Sequence, residues 1–153
     1  DEHGGIASVT PTTFGFGTDG TNTLTGVNKS GDTYIAYCWT EIEGYSKFGS
    51  YVGNGSADGP FVYCGFKPAF IMFKNADATG NWVMSDSSRD SNNPVFGYQV
   101  AEGTAIEERG TALFDSLSNG FKMRNSWVSF NGDTNNIIFM AFAESPFQTA
   151  NAK

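Results

Sequence analysis

Apolar and polar positions along this chain come in short alternating bursts, each closed by Gly, Asn or Asp. That period and punctuation predict strands over Tyr34–Glu41, Lys47–Val52, Phe61–Phe66, Ala69–Lys74, Trp82–Asp86, Phe121–Arg124 and Ile137–Glu144. Weaker strands are predicted over Ser8–Phe16 and Val95–Val100. Turn signals stand between them at Asn54-Gly55, Asp58-Gly59, Asn119-Gly120 and Asn131-Gly132. Only Glu102–Leu117 has a helical look, weakened by Gly103 and Gly110, so at most one short helix near Ala112–Leu117 is expected. Strands without alternating helices imply an all-β fold, with antiparallel sheets in a sandwich or barrel.

The pattern also repeats itself. Gly31-Asp32-Thr33 leads into Ile35-Ala36-Tyr37-Cys38-Trp39-Thr40-Glu41, and Gly132-Asp133-Thr134 leads into Ile138-Phe139-Met140-Ala141-Phe142-Ala143-Glu144. Phe14-Gly15-Phe16 likewise echoes Asn119-Gly120-Phe121. The chain therefore reads as one β domain over 1–153, in which 1–41 resemble the end of a preceding repeat and 42–147 one complete repeat. In the two echoing strands both faces are apolar, with no alternating charge. They are expected to be central strands covered on both faces, with Trp39 and Phe142 in the core; packing of the small-residue face against another chain is the alternative.

Composition sharpens this picture. The 153 residues hold 19 Gly, 14 Phe, 6 Tyr and 3 Trp, which suits many short strands joined by tight turns. A net charge of -7, with Lys and Arg scattered, argues against nucleic acid as a partner. No apolar run approaches the ~20 residues of a membrane-spanning helix. The chain starts Asp1-Glu2-His3 with no signal peptide and no initiator Met, which suggests processing or a piece of something longer. Of the two cysteines, Cys38 lies in an apolar run and is expected to be a small buried hydrophobe; a Cys38–Cys64 bridge is left open.

Little in the chain suggests catalysis. The only histidine is His3, at a terminus expected to fray, so no Ser–His or Cys–His pair is expected. Glycoside hydrolysis needs only two carboxylates, for which Glu41, Glu43, Glu107, Glu108 and Glu144 are candidates. Glu41 and Glu144 recur at equivalent places in the repeat, which favours structural roles: pairing with Lys or Arg, or accepting backbone N–H bonds. The chain is accordingly expected not to be an enzyme.

Binding motifs are weak one by one. Gly15-Phe16-Gly17-Thr18-Asp19-Gly20 has the spacing of a dinucleotide loop, but a poor helix follows, so it reads as a turn. Asn28-Lys29-Ser30 and Asn54-Gly55-Ser56 match glycosylation acceptors and also read as turns. Asn75, Asp77 and Thr79, with Gly80 sixth and Asp86 twelfth, resemble a calcium loop. Its flanks read as strands, so an oxygen-rich hairpin turn is the expectation and a Ca2+ site the alternative; no other cofactor is expected. Trp82 and Trp127, beside turns, are the better candidates for stacking against a sugar, with Asn81 and Asp58 as hydroxyl-binding neighbours, although core or inter-chain packing is the first expectation for each.

Taken together, several stretches resemble a repeat found in tail-fibre and other virion proteins of tailed phages, notably marine and cyanobacterial ones. They are Ser30-Gly31-Asp32-Thr33-Tyr34-Ile35-Ala36-Tyr37, Glu43-Gly44-Tyr45-Ser46-Lys47-Phe48-Gly49-Ser50-Tyr51 and Gly53-Asn54-Gly55-Ser56-Ala57-Asp58-Gly59-Pro60-Phe61-Val62-Tyr63. Gly65-Phe66-Lys67-Pro68-Ala69-Phe70, Gly80-Asn81-Trp82, Leu117-Ser118-Asn119-Gly120-Phe121-Lys122 and Ala141-Phe142-Ala143-Glu144-Ser145-Pro146-Phe147 complete the set. The resemblance implies an antiparallel β-sandwich of jelly-roll or concanavalin-like kind, a place on the exterior of the virion, and other virion proteins as partners. It further implies recognition of a host-surface glycan or protein, in a homo-oligomer for which a trimer is the first expectation. A structural role in capsid decoration or tail assembly is the alternative, and a depolymerase the third reading. The resemblance brings no catalytic or ligand residues with it.

Overall fold

The computed structural model describes residues 6–17 and 31–145, in two compact units, Asp1–Trp39 and Thr40–Lys153. His3, the Thr18-Asp19-Gly20 half of the glycine-rich turn, Asn28-Lys29-Ser30 and Pro146-Phe147 lie outside the described residues.

In the first unit, Ser8–Phe16 is a hairpin rather than one strand: β1 (Ile6–Val9) pairs antiparallel with β2 (Phe14–Phe16). Thr10 makes the turn. Its Oγ1 accepts the N–H groups of Thr12 and Thr13 at 3.3 and 2.9 Å, while its own N–H donates to the Thr13 carbonyl. A hydroxyl that captures local backbone donors in this way ends a strand. The strand expected over Tyr34–Glu41 does not form. Residues 32–41 carry no ladder, Trp39 is 56 % exposed and Cys38 is exposed as well, so the expectation that both are buried is corrected. The apolar pattern matches a true strand in the second unit, but a strand also needs neighbours to pair with, and none is supplied here among the described residues.

The second unit is an all-β antiparallel sandwich with one short helix. It contains β3 (Ser46–Val52), β4 (Phe61–Tyr63), β5 (Pro68–Asn75), β6 (Val83–Asp86), β7 (Gln99–Val100), β8 (Phe114–Leu117), β9 (Gly120–Met123), α1 (Val128–Asn131) and β10 (Asn136–Ala143). A five-stranded sheet in the order β3-β10-β5-β6-β7 faces a three-stranded sheet in the order β4-β9-β8. Phe73 of β5 touches Phe114 and Phe121 across the gap, with ring centroids 5.8 and 5.5 Å apart, and Phe121 meets Phe139 of β10 at 5.3 Å. These edge-on contacts, with Ile71, Leu113, Met123 and Ile137, make the core.

Two expectations are corrected here. Ala112–Leu117 is not a helical turn: Leu113 and Phe114 are buried, and Phe114–Leu117 pairs with β9 through a tight turn at Ser118-Asn119. The helix lies instead at Val128–Asn131, where Phe130 and Asn131 are turned inward. The second correction concerns β10, which is paired on both flanks but covered on one face only. Ile137, Phe139 and Ala141 point into the core, while Ile138 is exposed and Met140 and Phe142 are half-buried on the outer face.

Close backbone approach fixes the loops at one end. A side chain on Gly53 would come within 2.2 Å of the Gly132 carbonyl oxygen, so only glycine lets these two turns touch.

Candidate functional site

The register of the five-stranded sheet decides what its outer face displays, since directly opposed residues point to the same side. Met140 stands between Phe48 of β3 and Met72 of β5, and Met72 faces Met84 of β6. Phe142 lies between Ser46 and Phe70, and its ring meets those of Tyr45, Phe48 and Phe70 at 5.8, 5.9 and 6.2 Å. The result is a stripe of half-buried Phe and Met side chains on the outside of the sandwich.

At one end of this stripe, Trp82, Phe48, Gly49, Ile138 and Met140 line an open hollow of about 270 Å3. Trp82 sits just before β6 and is held by its backbone: its N–H donates to both carboxylate oxygens of Glu102 at 3.0 and 3.1 Å, and its carbonyl accepts from Ala101. Trp82 is 37 % exposed, with exposed Asn81 next to it in the chain. A flat aromatic face on a pinned backbone, beside a polar turn, can take an apolar ring face or a hydrophobic side chain.

The other residues nominated for ligand binding do not line this hollow. Trp127 packs on Tyr98 and Phe130 at 5.7 and 5.5 Å, beside α1. Asp58 is exposed, and its carboxylate pairs with the Lys122 ammonium at 2.9 Å, which holds its pKa below the ordinary value. The hollow's own Phe48, Ile138 and Met140 were not singled out in the sequence. The signal for Ile138 and Met140 was there, in apolar residues at alternate positions on the face of β10 opposite Phe139 and Ala141.

Nor does the calcium-like spacing converge. Asn75 is 1 % exposed, its Oδ1 accepts the N–H groups of Asp77 and Ala78, and its Nδ2 donates to the Val128 carbonyl. Asp77 accepts from the backbone and side chain of Asn136 at 2.7 and 2.9 Å, and Thr79 is exposed. Asp86 pairs in register with Phe70, five residues back along β5 from Asn75, roughly 16 Å at the rise of an extended strand. The hairpin pairing that shapes the turn is what carries Asp86 away from it, so Asn75, Asp77, Thr79 and Asp86 do not form one cation site. Among the described residues no group of three or more His, Cys, Asp or Glu side chains is gathered for a metal.

Of the five candidate carboxylates, Glu41, Glu107, Glu108 and Glu144 are engaged in ion pairs or hydrogen bonds. Glu41 and Glu43 line a polar cleft of about 460 Å3 with Lys47, Tyr63 and Cys64. Glu41 pairs with Lys47 at 3.0 Å and accepts the Phe48 N–H at 3.1 Å, and these two bonds lower its pKa. Glu144 pairs with Lys67 at 2.8 Å. The two repeat-equivalent glutamates thus both hold lysines, and Glu41 also accepts a backbone N–H. Glu107 bridges Arg109 and Arg89, each at 2.6 Å, and Glu108 accepts the Tyr98 hydroxyl at 2.5 Å. Burial, followed by that bond, pushes the Tyr98 phenol up to about 12.

A family model described as Domain of unknown function (DUF7483) matches residues 3–146. The chain belongs to this family. The match runs through both units, so the hairpin of the first and the sandwich of the second fall within one family domain. No curated protein and no solved structure matches the chain.

Proposed function

We propose that this family member is a non-catalytic recognition module on the exterior of a phage particle, which engages a host-surface glycan or protein through the outer face of its five-stranded sheet. The observation that carries the reading is the hollow around Trp82, where a pinned, part-exposed indole stands at the end of a Phe and Met stripe. Apolar patches on the outside of a folded domain mark contact surfaces. The engagement of Glu41, Glu107 and Glu144 in ion pairs supports binding over acid–base chemistry. The resemblance of residues 30 to 147 to virion repeats supports the setting, and the reading calls for no cofactor.

The test is competition. Purified domain at saturating concentration is expected to block adsorption of the phage that carries it, and Trp82→Ala with an unchanged melting temperature is expected to abolish the block. Absence of competition by the parent domain removes the reading. The same apolar stripe also suits a fixed contact with neighbouring virion proteins. In that case the domain sits in a symmetric lattice of the particle and does not bind cells.

A further inference from the structure

Strand β3 is an edge of its sheet, and its backbone groups alternate between two sides. Tyr45 and Gly53 turn theirs toward β10, the Tyr45 carbonyl accepting from Ala143 and the Gly53 N–H donating to Asn135. Ser46 turns outward, where it exchanges two hydrogen bonds with Ile42. The next outward rung is Phe48, whose N–H is taken by the Glu41 carboxylate. Ser50 and Val52 follow on the same side, and no strand lies beside them among the described residues.

The chain also carries a strand sequence without a sheet. Residues 31–41 repeat the pattern of 132–144, which contains β10, and β10 is the strand that pairs antiparallel with β3 along its whole length. In the first unit that pattern forms no ladder, and Ile35 and Tyr37 are 81 % and 74 % exposed. The 31–41 segment shares the apolar pattern of the strand that pairs with β3, and among the described residues no strand pairs with the outward side of β3 at Ser50 and Val52.

We propose that the Ile35–Thr40 segment of one copy adds as a strand to the outward edge of β3 in a second copy. Main-chain bonds to Ser50 and Val52 supply the register, and covering Ile35, Tyr37 and Trp39 supplies the driving force. Reciprocal exchange closes a two-fold dimer, and sequential exchange closes a ring. The Glu41–Lys47 pair covers the Phe48 rung, as charged side chains commonly guard sheet edges, so pairing starts beyond it.

A donor variant and an acceptor variant of the full chain test this. Ile35→Asp/Tyr37→Asp disables the donor at exposed positions. Ser50→Pro removes an outward N–H from the acceptor, with Val52→Lys as a second acceptor variant should Ser50→Pro lower the melting temperature. By analytical ultracentrifugation the parent is expected to gain mass above the monomer as concentration rises, and each variant alone is expected to stay monomeric. An equal mixture of donor and acceptor variants is expected to restore a heterodimer, since each keeps the half the other lacks. A parent that stays monomeric at every concentration overturns the proposal. So do variants that assemble like the parent, or a mixture of folded variants that stays monomeric.

Discussion

Asn131 and Asn54 are bound to each other twice: the Asn54 N–H donates to Asn131 Oδ1 at 3.0 Å, and Asn131 Nδ2 donates to Asn54 Oδ1 at 3.1 Å. The same Nδ2 reaches the carbonyls of Ser56 and Asn125 at 2.8 and 2.6 Å, and the residue is wholly buried. One amide therefore ties the loop after β3 to the turn around α1. Asn131→Leu keeps the approximate size and strips every side-chain bond, leaving the buried Asn125 carbonyl and the part-buried groups of Asn54 and Ser56 unmatched. A loss of about 3 kcal/mol follows from the usual cost of stranding such groups. Urea denaturation checks it, as a drop in midpoint with an unchanged slope; a midpoint equal to the parent's would show that the knot is dispensable.

Phe121 and Trp39 give a paired prediction. Phe121 is fully buried and touches Tyr51, Phe73, Phe114 and Phe139 at ring distances between 5.3 and 6.1 Å. Phe121→Ala empties the centre of the sandwich and is expected to cost about 3–5 kcal/mol. Trp39→Ala removes a larger side chain but an exposed one, so at dilute concentration it is expected to stay within about 0.5 kcal/mol of the parent. Thermal melts of the two variants side by side decide the point, and equal losses would contradict the burial described above.

That contrast shows where the sequence was legible. β3, β5, β6, β9 and β10 fall within a residue or two of their predicted bounds, because each is bracketed by turn residues and finds its partners inside the same unit. Tyr34–Glu41 has an apolar pattern like that of β10 and failed, since alternation reports a preference for a sheet and says nothing about whether a sheet is there. β8 was missed because Asp115 and Ser116 broke its apolar run, although the Asn119-Gly120 signal at the start of β9 already called for a strand on the other side of a turn. The hollow was half legible. Trp82 stood out beside a turn, whereas Phe48, Ile138 and Met140 come together only through the register of β3 and β10. The calcium-like spacing misled for a related reason: a linear motif assumes a loop that folds back on itself, and here a hairpin pulls its last residue down the strand.

Acid should loosen the segment between β6 and β8. Glu107 is held below its ordinary value of 4.5 by the Arg109 guanidinium first and by Arg89 next. A carboxylate depressed in the folded state adds stability that is complete above the unfolded value and is lost as pH falls through the folded one. The melting temperature of the parent is therefore expected to decline as the pH is taken below 4.5. Glu107→Gln should start lower at neutral pH and decline less steeply. All three groups are partly exposed to solvent, so the effect is expected to shrink in high salt. Parallel acid limbs for parent and variant would assign the decline to other carboxylates.

The two thiols should separate cleanly in reactivity. Cys64 is buried, and burial pushes its thiol up to about 12, so at neutral pH almost none of it is thiolate and reagent does not reach it. Cys38 is exposed, and both cysteines are free. At dilute concentration, treatment of the native protein with a thiol-reactive disulfide reagent is expected to modify one cysteine per chain quickly, and unfolding in denaturant is expected to release the second. Cys38→Ser should remove the fast phase and leave the slow one. If neither thiol reacted until a reductant was added, the two would be bridged, and the exposure of residues 35–39 would have to be drawn again. A slow Cys38 in the parent that becomes fast on dilution, with Cys64 unchanged, is the pattern expected of a segment covered by a second copy.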